Sequence, residues 1–228
     1  WMEENRLFIQ TELCTSTLVD EMKDGGALWH DTKRQFKVLR EMLLALDLIH
    51  RNGMVHLDIK PENIFVKSDK FKLGDFGLVA KSSVSGDVEE GDSRYMCNYL
   101  LQGNHADLTK CDIFSLGATM YEIALQRTLP THGEEWHEIR AGVLNPLPHI
   151  SKELFDIIKI MIHPKREQRP SAEMLLRRRQ LLSEEQKQLI HERNKVREAN
   201  EHLAVKDARL KALIFPGRTT LTRANTLG

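Results

Sequence analysis

The chain has 228 residues, which is long enough for one large domain with a buried core. Its 33 basic and 33 acidic side chains give a formal net charge of +0, which argues against a protein that binds nucleic acid through bulk positive charge. No apolar run approaches the roughly 20 residues that a membrane helix requires, so we expect no membrane segment in this chain. Three cysteines without a CxxC pair predict neither a disulfide framework nor a zinc site and are typical of a reducing compartment.

The predicted elements begin with a strand over residues 7–13 and a helix over 33–51, whose apolar residues recur every three or four positions. A small β-hairpin follows, with strands at 64–66 and 71–73 joined by the polar turn 67–70. Four more helices are predicted at 109–126, 134–142, 151–162 and 171–181, the last with Ser171 as its N-cap. The predicted fold class is α+β, mainly helical around one hairpin.

Two segments that flank the hairpin carry the chemistry. Residues 56–63 read HLDIKPEN, and residues 75–77 read DFG. A lone DFG is weak, but HxDxKxxN followed twelve residues later by DFG, with a hairpin between them, matches the catalytic loop and the metal-binding triplet of eukaryotic protein kinases.

Each residue of this pattern suits one part of phosphoryl transfer, which depends on the positioning of charge. Asp58 would orient the acceptor hydroxyl, and Lys60 would neutralise the γ-phosphate of ATP. Asn63 and Asp75 would contact the nucleotide through Mg²⁺, which prefers oxygen ligands. Any one of them alone could be a turn residue or a solvated charge. Together they favour a kinase with ATP and Mg²⁺ as cofactors.

Further segments resemble other kinase landmarks. Thr11, Glu12 and Cys14 resemble the hinge that offers backbone groups to adenine, with Thr11 as gatekeeper. Asp112 resembles the aspartate of a DxWxxG helix, which accepts hydrogen bonds from the catalytic-loop backbone. The resemblance also implies that His56, Phe76 and Gly77 support the site, with His56 stacked on Phe76 next to Gly77.

This resemblance implies a protein-kinase-like fold with four regions. Residues 1–15 would be the last strand of the N-lobe and the hinge, and 16–181 the helical C-lobe. Residues 182–215 would form a charged helical tail, and 216–228 a disordered C-terminus. The sequence contains no glycine-rich loop, strand lysine or partner-helix glutamate, so we expect the N-lobe to be largely absent from this chain.

Within the kinases, the chain resembles the Wee family. Its activation segment, formed by Glu90, Gly91, Asp92, Ser93, Arg94 and Tyr95, resembles the signature EGDxRY. Residues 107–117, 129–130, 136–140, 161–164 and 169–172 fit the same family. The hinge and the true DFG resemble the membrane-associated Tyr/Thr branch, whereas the long charged tail resembles the nuclear branch. The branch therefore stays open.

The family resemblance implies the biological role. A Wee kinase transfers phosphate to tyrosine, and in one branch also to threonine, of a cyclin-dependent kinase with its cyclin, and so inhibits entry into mitosis. Lys60 alone would instead indicate a serine/threonine kinase, and we follow the family. The resemblance implies a nuclear or cytoplasmic location, with weak preference for the nucleus. The alternative function is a catalytically incompetent scaffold that binds partners through its C-lobe and tail.

Two positions depart from the kinase pattern. Leu57 stands where kinases that are activated by loop phosphorylation carry arginine, so we expect activity without a phosphorylated loop. Tyr99 stands where a glutamate usually pairs with the late arginine, here Arg169. Because a buried unpaired guanidinium is unfavourable, we expect another acid or a water molecule to bind Arg169.

The tail offers two interaction hypotheses. Ser183 to Gln186 resembles a capping box that starts a new helix. An apolar residue then recurs every seven positions, but the second heptad position is poorly filled, so dimerisation through 182–215 and a solvated helix both stay open. Arg223 and Thr226 have the spacing of a phosphorylation site for a phospho-reader partner.

Overall fold

A computed structural model describes residues 1–4, 6–23, 31–83 and 91–214, with side chains described as far as residue 210. The chain divides between Leu181 and Leu182 into two compact units. The strands are β1 (Met2–Glu3), β2 (Arg6–Leu7), β3 (Ser16–Thr17), β4 (Met54–Val55), β5 (Ile64–Lys67), β6 (Lys70–Leu73) and β7 (Ala80–Lys81). The α-helices are α1 (Leu18–Met22), α2 (Thr32–Arg51), α3 (Asn98–Leu101), α4 (Thr109–Leu125), α5 (Glu134–Arg140), α6 (Lys152–Met161), α7 (Ala172–Leu176) and α8 (Glu184–Ile214).

The predicted mainly helical fold with a small hairpin is confirmed. Strands β5 and β6 pair antiparallel, with Ile64 opposite Leu73. Ser68 and Asp69 form the turn and have φ angles of 47° and 62°. A two-residue hairpin turn requires such positive φ angles to match the twist of the two strands. Strand β3 pairs with the other side of β5, and β4 pairs with β7.

The predicted strand at 7–13 is wrong, because only Leu7 belongs to a strand, the short β2 that pairs with β1. Ile9 and Leu13 are 76% and 86% exposed. A strand needs a neighbour for its backbone N–H and C=O groups. Among the described residues, such pairing reaches only Phe8, whose amide donates to the Trp1 carbonyl at 2.8 Å.

Helix α4 forms the centre of the first unit, and its residues from Cys111 to Ala124 are all buried. It packs against α2 and α6. Gly117 allows the close approach of α6, since a Cβ at this position would lie 2.9 Å from Met161 Cβ. This buried helix carries Asp112 and Glu122, which anchor the loops described below.

The predicted helix 171–181 is shorter in the structure. Ser171 caps α7 by accepting a hydrogen bond from the Met174 amide at 3.2 Å. The α-helix ends at Leu176, and a 3-10 turn covers Arg179–Leu181. Leu181 is buried and its carbonyl accepts from Arg40 Nε at 3.0 Å, so a tertiary contact sets the path of this segment.

The second unit contains α8. Its capping box forms: the Ser183 amide donates to Gln186 Oε1 at 2.8 Å, and the Gln186 amide donates to Ser183 Oγ at 3.1 Å. The heptad side chains Leu189, Val196 and Leu203 are exposed, and dimerisation through them stays a prediction. Within the described part of the chain, no helix is long and apolar enough to cross a membrane. The phospho-reader hypothesis at Arg223 and Thr226 lies outside the described residues.

Candidate active site

The segment 56–63 is held at its start by a buried carboxylate of α4. Asp112 Oδ2 accepts from the His56 amide at 2.9 Å, and Oδ1 accepts from the Leu57 amide at 2.8 Å. His50 Nε2 of α2 lies 2.8 Å from the same Oδ2. Leu57 has a φ of 67°, a strained conformation for a residue with a side chain. The bonds to Asp112 hold this turn and direct Asp58 into the site.

Two predicted site residues, Lys60 and Asn63, bond to a third, Asp58. Lys60 Nζ donates to Asp58 Oδ2 at 2.8 Å, and Asn63 Nδ2 donates to the same oxygen at 2.8 Å. Asn63 Nδ2 also donates to the Asp58 backbone carbonyl at 2.8 Å, which closes the loop on itself. Two charged or polar donors therefore fix Oδ2, while Oδ1 has a longer contact of 3.4 Å with the Asp92 amide.

The hairpin brings Asp75 to this cluster. The Gly74 amide donates to the Asn63 carbonyl at 2.9 Å, so Asp75 follows directly after a residue bonded to Asn63. Asp75 has a φ of 57°, and its Oδ1 accepts from the Gly77 amide at 3.2 Å. The side-chain nitrogen of Asn63 donates to Asp58. The side-chain oxygen of Asn63 and the carboxylate of Asp75 are therefore the two groups suited to bind a magnesium ion.

His56 and Phe76 make the ring contact that the resemblance implied. Their ring centroids lie 5.4 Å apart with an interplanar angle of 64°, an edge-to-face arrangement. His56 Nε2 also lies 3.0 Å from the Gly74 carbonyl oxygen. The histidine thus links the start of the catalytic loop to the DFG triplet.

A cavity of about 490 Å³ lies between the hinge segment and the hairpin. Thr11, Glu12 and Cys14 line one side of it, and Asp75 and Phe76 line the other. The cavity is also lined by four residues that were not predicted from the sequence: Phe65, Lys72, Leu73 and Gly74. The hairpin register pairs Phe65 with Lys72, so alternation along the strands was the signal that could have found these two.

The activation segment packs on the catalytic loop through Gly91 and Asp92. Glu90 lies outside the described residues. A Cβ on Gly91 would lie 2.7 Å from the Leu57 carbonyl oxygen and 2.9 Å from Asp58 Oδ1. Asp92 and Arg94 form an ion pair of 2.6 Å. Burial acts to raise the pKa of Asp92, but the hydrogen bonds from Arg94 outweigh it and hold the pKa below its usual value.

The end of this segment is anchored on α4 and on the catalytic loop. Tyr95 is buried, and its hydroxyl donates to Glu122 Oε2 at 2.7 Å. Burial raises the pKa of Tyr95 and also that of Glu122. Arg94 Nη2 reaches Glu62 Oε1 at 3.2 Å. Ser93 contributes its backbone carbonyl, which accepts from Trp136 Nε1 at 3.3 Å.

Backbone carbonyls bind Arg169, where an acid or a water molecule was expected. Its Nε donates to the His163 carbonyl at 2.7 Å and its Nη1 to the Lys110 carbonyl at 2.9 Å. Nη2 reaches the Pro164 carbonyl at 3.3 Å. Tyr99 contacts a different arginine, since its ring centroid lies 4.6 Å from the Arg166 guanidinium carbon. Three carbonyls can satisfy a buried guanidinium whose usual carboxylate is missing.

The family comparison agrees with this geometry: the model of the protein kinase domain matches residues 1–181. The chain belongs to the protein kinase family. The matched range contains Asp58, Lys60, Asn63 and Asp75.

Curated relatives place this kinase domain in the Wee family. Wee1-like protein kinase 2 of Ailuropoda melanoleuca is 38% identical over 210 residues, covering 79% of this chain and 37% of the relative. Wee1-like protein kinase 1-B of Xenopus laevis is 37% identical over 211 residues, with coverages of 82% and 35%. Wee1-like protein kinase of Oryza sativa subsp. japonica is 39% identical over 181 residues, with coverages of 78% and 33%. The chain thus spans about a third of the length of these relatives.

Proposed function

We propose that the protein transfers the γ-phosphate of ATP to tyrosine, with threonine as a second acceptor, of a cyclin-dependent kinase bound to its cyclin. This reaction would restrain entry into mitosis, in the nucleus or the cytoplasm. The observation that carries the transferase function is the cluster at Asp58, where Lys60 and Asn63 both bond one carboxylate oxygen. The Wee1-like names of the relatives support the acceptor and the role.

Asp58 and Lys60 supply complementary charges for the transfer. The less constrained Oδ1 of Asp58 would accept the hydrogen bond of the acceptor hydroxyl and take its proton as the new O–P bond forms. The bond between the γ-phosphorus and the β–γ bridging oxygen breaks in the same transfer, and ADP leaves. Lys60 Nζ, 2.8 Å from Asp58 Oδ2, places a positive charge beside the transferred phosphoryl group. Asp58 is only 10% exposed in its side chain, so water competes little for this oxygen.

The donor set fits Mg-ATP. Among the described residues, no group of three or more His, Cys, Asp or Glu side chains could hold a metal ion by itself. Asn63 and Asp75 instead offer two oxygen ligands, which suits Mg²⁺, an ion that completes its coordination with nucleotide phosphates and water. When bound, Mg²⁺ neutralises the phosphate charge that develops in the reaction. The cavity beside Thr11 and Phe65 would take the adenine base.

The acceptor proposal can be tested with the protein at its natural length. Purified protein would be incubated with ATP, Mg²⁺ and a complex of cyclin and inactive cyclin-dependent kinase, and the phosphorylated residue located by mass spectrometry. We expect phosphate on tyrosine of the glycine-rich loop, with threonine labelled more slowly. Replacement of that tyrosine by phenylalanine should remove most of the label. Label found only on serine or on residues outside this loop would contradict the proposed acceptor.

A scaffold that binds partners without catalysis is the alternative. It predicts capture of the cyclin-dependent kinase complex with no label above that of Asp58→Asn, the matched inactive variant. The intact cluster of Asp58, Lys60 and Asn63 favours the enzyme, because a scaffold has no need of these three side chains in bonding contact.

A further inference from the structure

Arg140 at the end of α5 is one of the largest fully buried side chains of the protein, with 2% of its surface exposed. Burial lowers the pKa of its guanidinium to about 10, so the group is still charged at neutral pH. Within the described residues its Nε has no hydrogen-bond partner, and the hydrogen bonds of its Nη1 and Nη2 go to backbone carbonyls, with Nη1 donating to the Trp136 carbonyl at 2.8 Å. Such a charge needs another reason to be kept in the interior.

The guanidinium is directed at two backbone carbonyls of the activation segment. Arg140 Nη2 donates to the Ser93 carbonyl oxygen and, at 3.2 Å, to the Arg94 carbonyl oxygen. Its planar group lies 3.6 Å from the centroid of the Trp136 ring. Trp136 Nε1 donates to the same Ser93 carbonyl at 3.3 Å. Two side chains of α5, one turn apart, therefore hold one peptide of the activation segment.

The residues held in this way adjoin the catalytic carboxylate. Gly91 packs against the Leu57 carbonyl, and the Asp92 amide contacts Asp58 Oδ1 at 3.4 Å. Ser93 follows directly. A shift of the Ser93 peptide would move Asp92 and Gly91 away from Asp58. Because Leu57 cannot bind a phosphate, the segment also needs an anchor that does not depend on loop phosphorylation.

We propose that Arg140, supported by Trp136, is a positioning residue that holds the Ser93 and Arg94 carbonyls and thereby keeps the activation segment in place against Asp58 without a loop phosphate. This inference rests on the proposed function for its catalytic consequence. Its structural part, the local ordering of residues 91–95, can be measured independently of activity.

Three variants test it in the natural-length protein. Arg140→Lys keeps the charge but has neither the planar surface nor the forked donors. Trp136→Phe keeps an aromatic platform and removes the indole donor. Arg127→Lys is the matched control, since the half-exposed Arg127 pairs with Glu135 of α5, the helix that also carries Arg140. All three would be compared after phosphatase treatment.

Hydrogen exchange of the backbone amides decides the structural part. We expect Arg140→Lys to speed exchange across residues 91–97 by about tenfold or more, the factor expected from one charged hydrogen bond, with exchange in α4 unchanged. Trp136→Phe should give a smaller local increase, and Arg127→Lys none. Unchanged exchange at 91–97, or an equal increase in α4 and α6, would overturn the proposal, because the second pattern marks a merely structural role.

Kinetics decide the catalytic part. We expect Arg140→Lys to lower kcat for the protein acceptor by about tenfold or more and to leave the KM for ATP unchanged. Phosphatase treatment should leave the wild-type rate unchanged. A variant with local loss of protection but wild-type kcat would overturn the positioning role. An inactive wild-type protein with the expected exchange pattern would overturn the proposed function and support the ordering by Arg140.

Discussion

Gly91 and Leu57 are in such close contact that a methyl group on Gly91 would lie 2.7 Å from the Leu57 carbonyl oxygen. This contact joins the activation segment to the catalytic loop at the residue before Asp58. It gives a physical reason for glycine in the EGDxRY-like segment: the close approach of two backbones, with no requirement for a positive φ.

We expect Gly91→Ala to lower kcat by about tenfold to a hundredfold, because the overlap displaces either the segment or Asp58 by a fraction of an ångström to an ångström. Steady-state kinetics would measure the loss. Gly53→Ala is the control: a Cβ there meets no atom within 4 Å, but its φ of 70° costs about 1 kcal/mol of stability. Equal activity of the two variants would contradict the importance of the Gly91 contact.

Replacement of Asp112 by asparagine should lower the free energy of unfolding by about 2–5 kcal/mol, since the amide NH₂ would face a backbone N–H that the carboxylate now satisfies. The two amides concerned belong to His56 and Leu57. Urea unfolding followed by circular dichroism would measure the change. Asp156→Asn, in an exposed pair with Lys152, should cost less than about 1 kcal/mol. A similar small cost at Asp112 would show that the loop does not depend on it.

Glu122 should make stability fall as the pH rises. Burial raises its pKa in the folded protein above the unfolded value of about 4.3, so the folded state binds the extra proton between these two pKa values. Above the folded pKa the full penalty for the buried charge is present, and below the unfolded pKa it vanishes. Glu122→Gln keeps an oxygen for the Tyr95 hydroxyl and the Leu129 amide and has no such penalty.

We therefore expect Glu122→Gln to gain stability relative to the wild type as the pH rises from 4 to 8. Unfolding free energies from urea titrations across this range would show the divergence, and Glu198→Gln, at an exposed position of α8, serves as control. A constant difference at every pH would show that Glu122 has an ordinary pKa.

Arg169→Lys should cost about 2–4 kcal/mol, because one ammonium group cannot reach the carbonyls of His163, Lys110 and Pro164 together. Thermal or urea unfolding would measure it. The exposed Arg179→Lys should change stability by less than about 0.5 kcal/mol. If both variants behaved alike, the carbonyl contacts would have little energetic value.

Local patterns predicted the elements with strong periodicity. The predicted helix 33–51 corresponds to Thr32–Arg51, and 109–126 corresponds to Thr109–Leu125. The hairpin was recognisable because two short β-type runs flank a polar turn. The prediction of a strand at 7–13 was wrong because a strand is stable only beside a partner strand, and the local sequence does not show whether such a partner is present.

The motif residues were recognisable because catalysis requires fixed residue types at fixed spacing. The contacts that position them were not. Arg140 lies 47 positions after Ser93 in the chain, so no local pattern connects them. Arg169 binds backbone carbonyls, which no pattern of side chains predicts. Such contacts depend on the packing of α4, α5 and the loops, and a single sequence does not display them.

Single-turnover transfer of the γ-phosphate by the natural-length protein, compared with Asp58→Asn, is the most direct test of the catalytic centre. We expect the wild type to phosphorylate its acceptor and Asp58→Asn to be slower by about a hundredfold or more, with unchanged affinity for ATP. Transfer by Asp58→Asn at the wild-type rate, or no transfer by the wild type, would contradict the role of Asp58 as the residue that orients and deprotonates the acceptor.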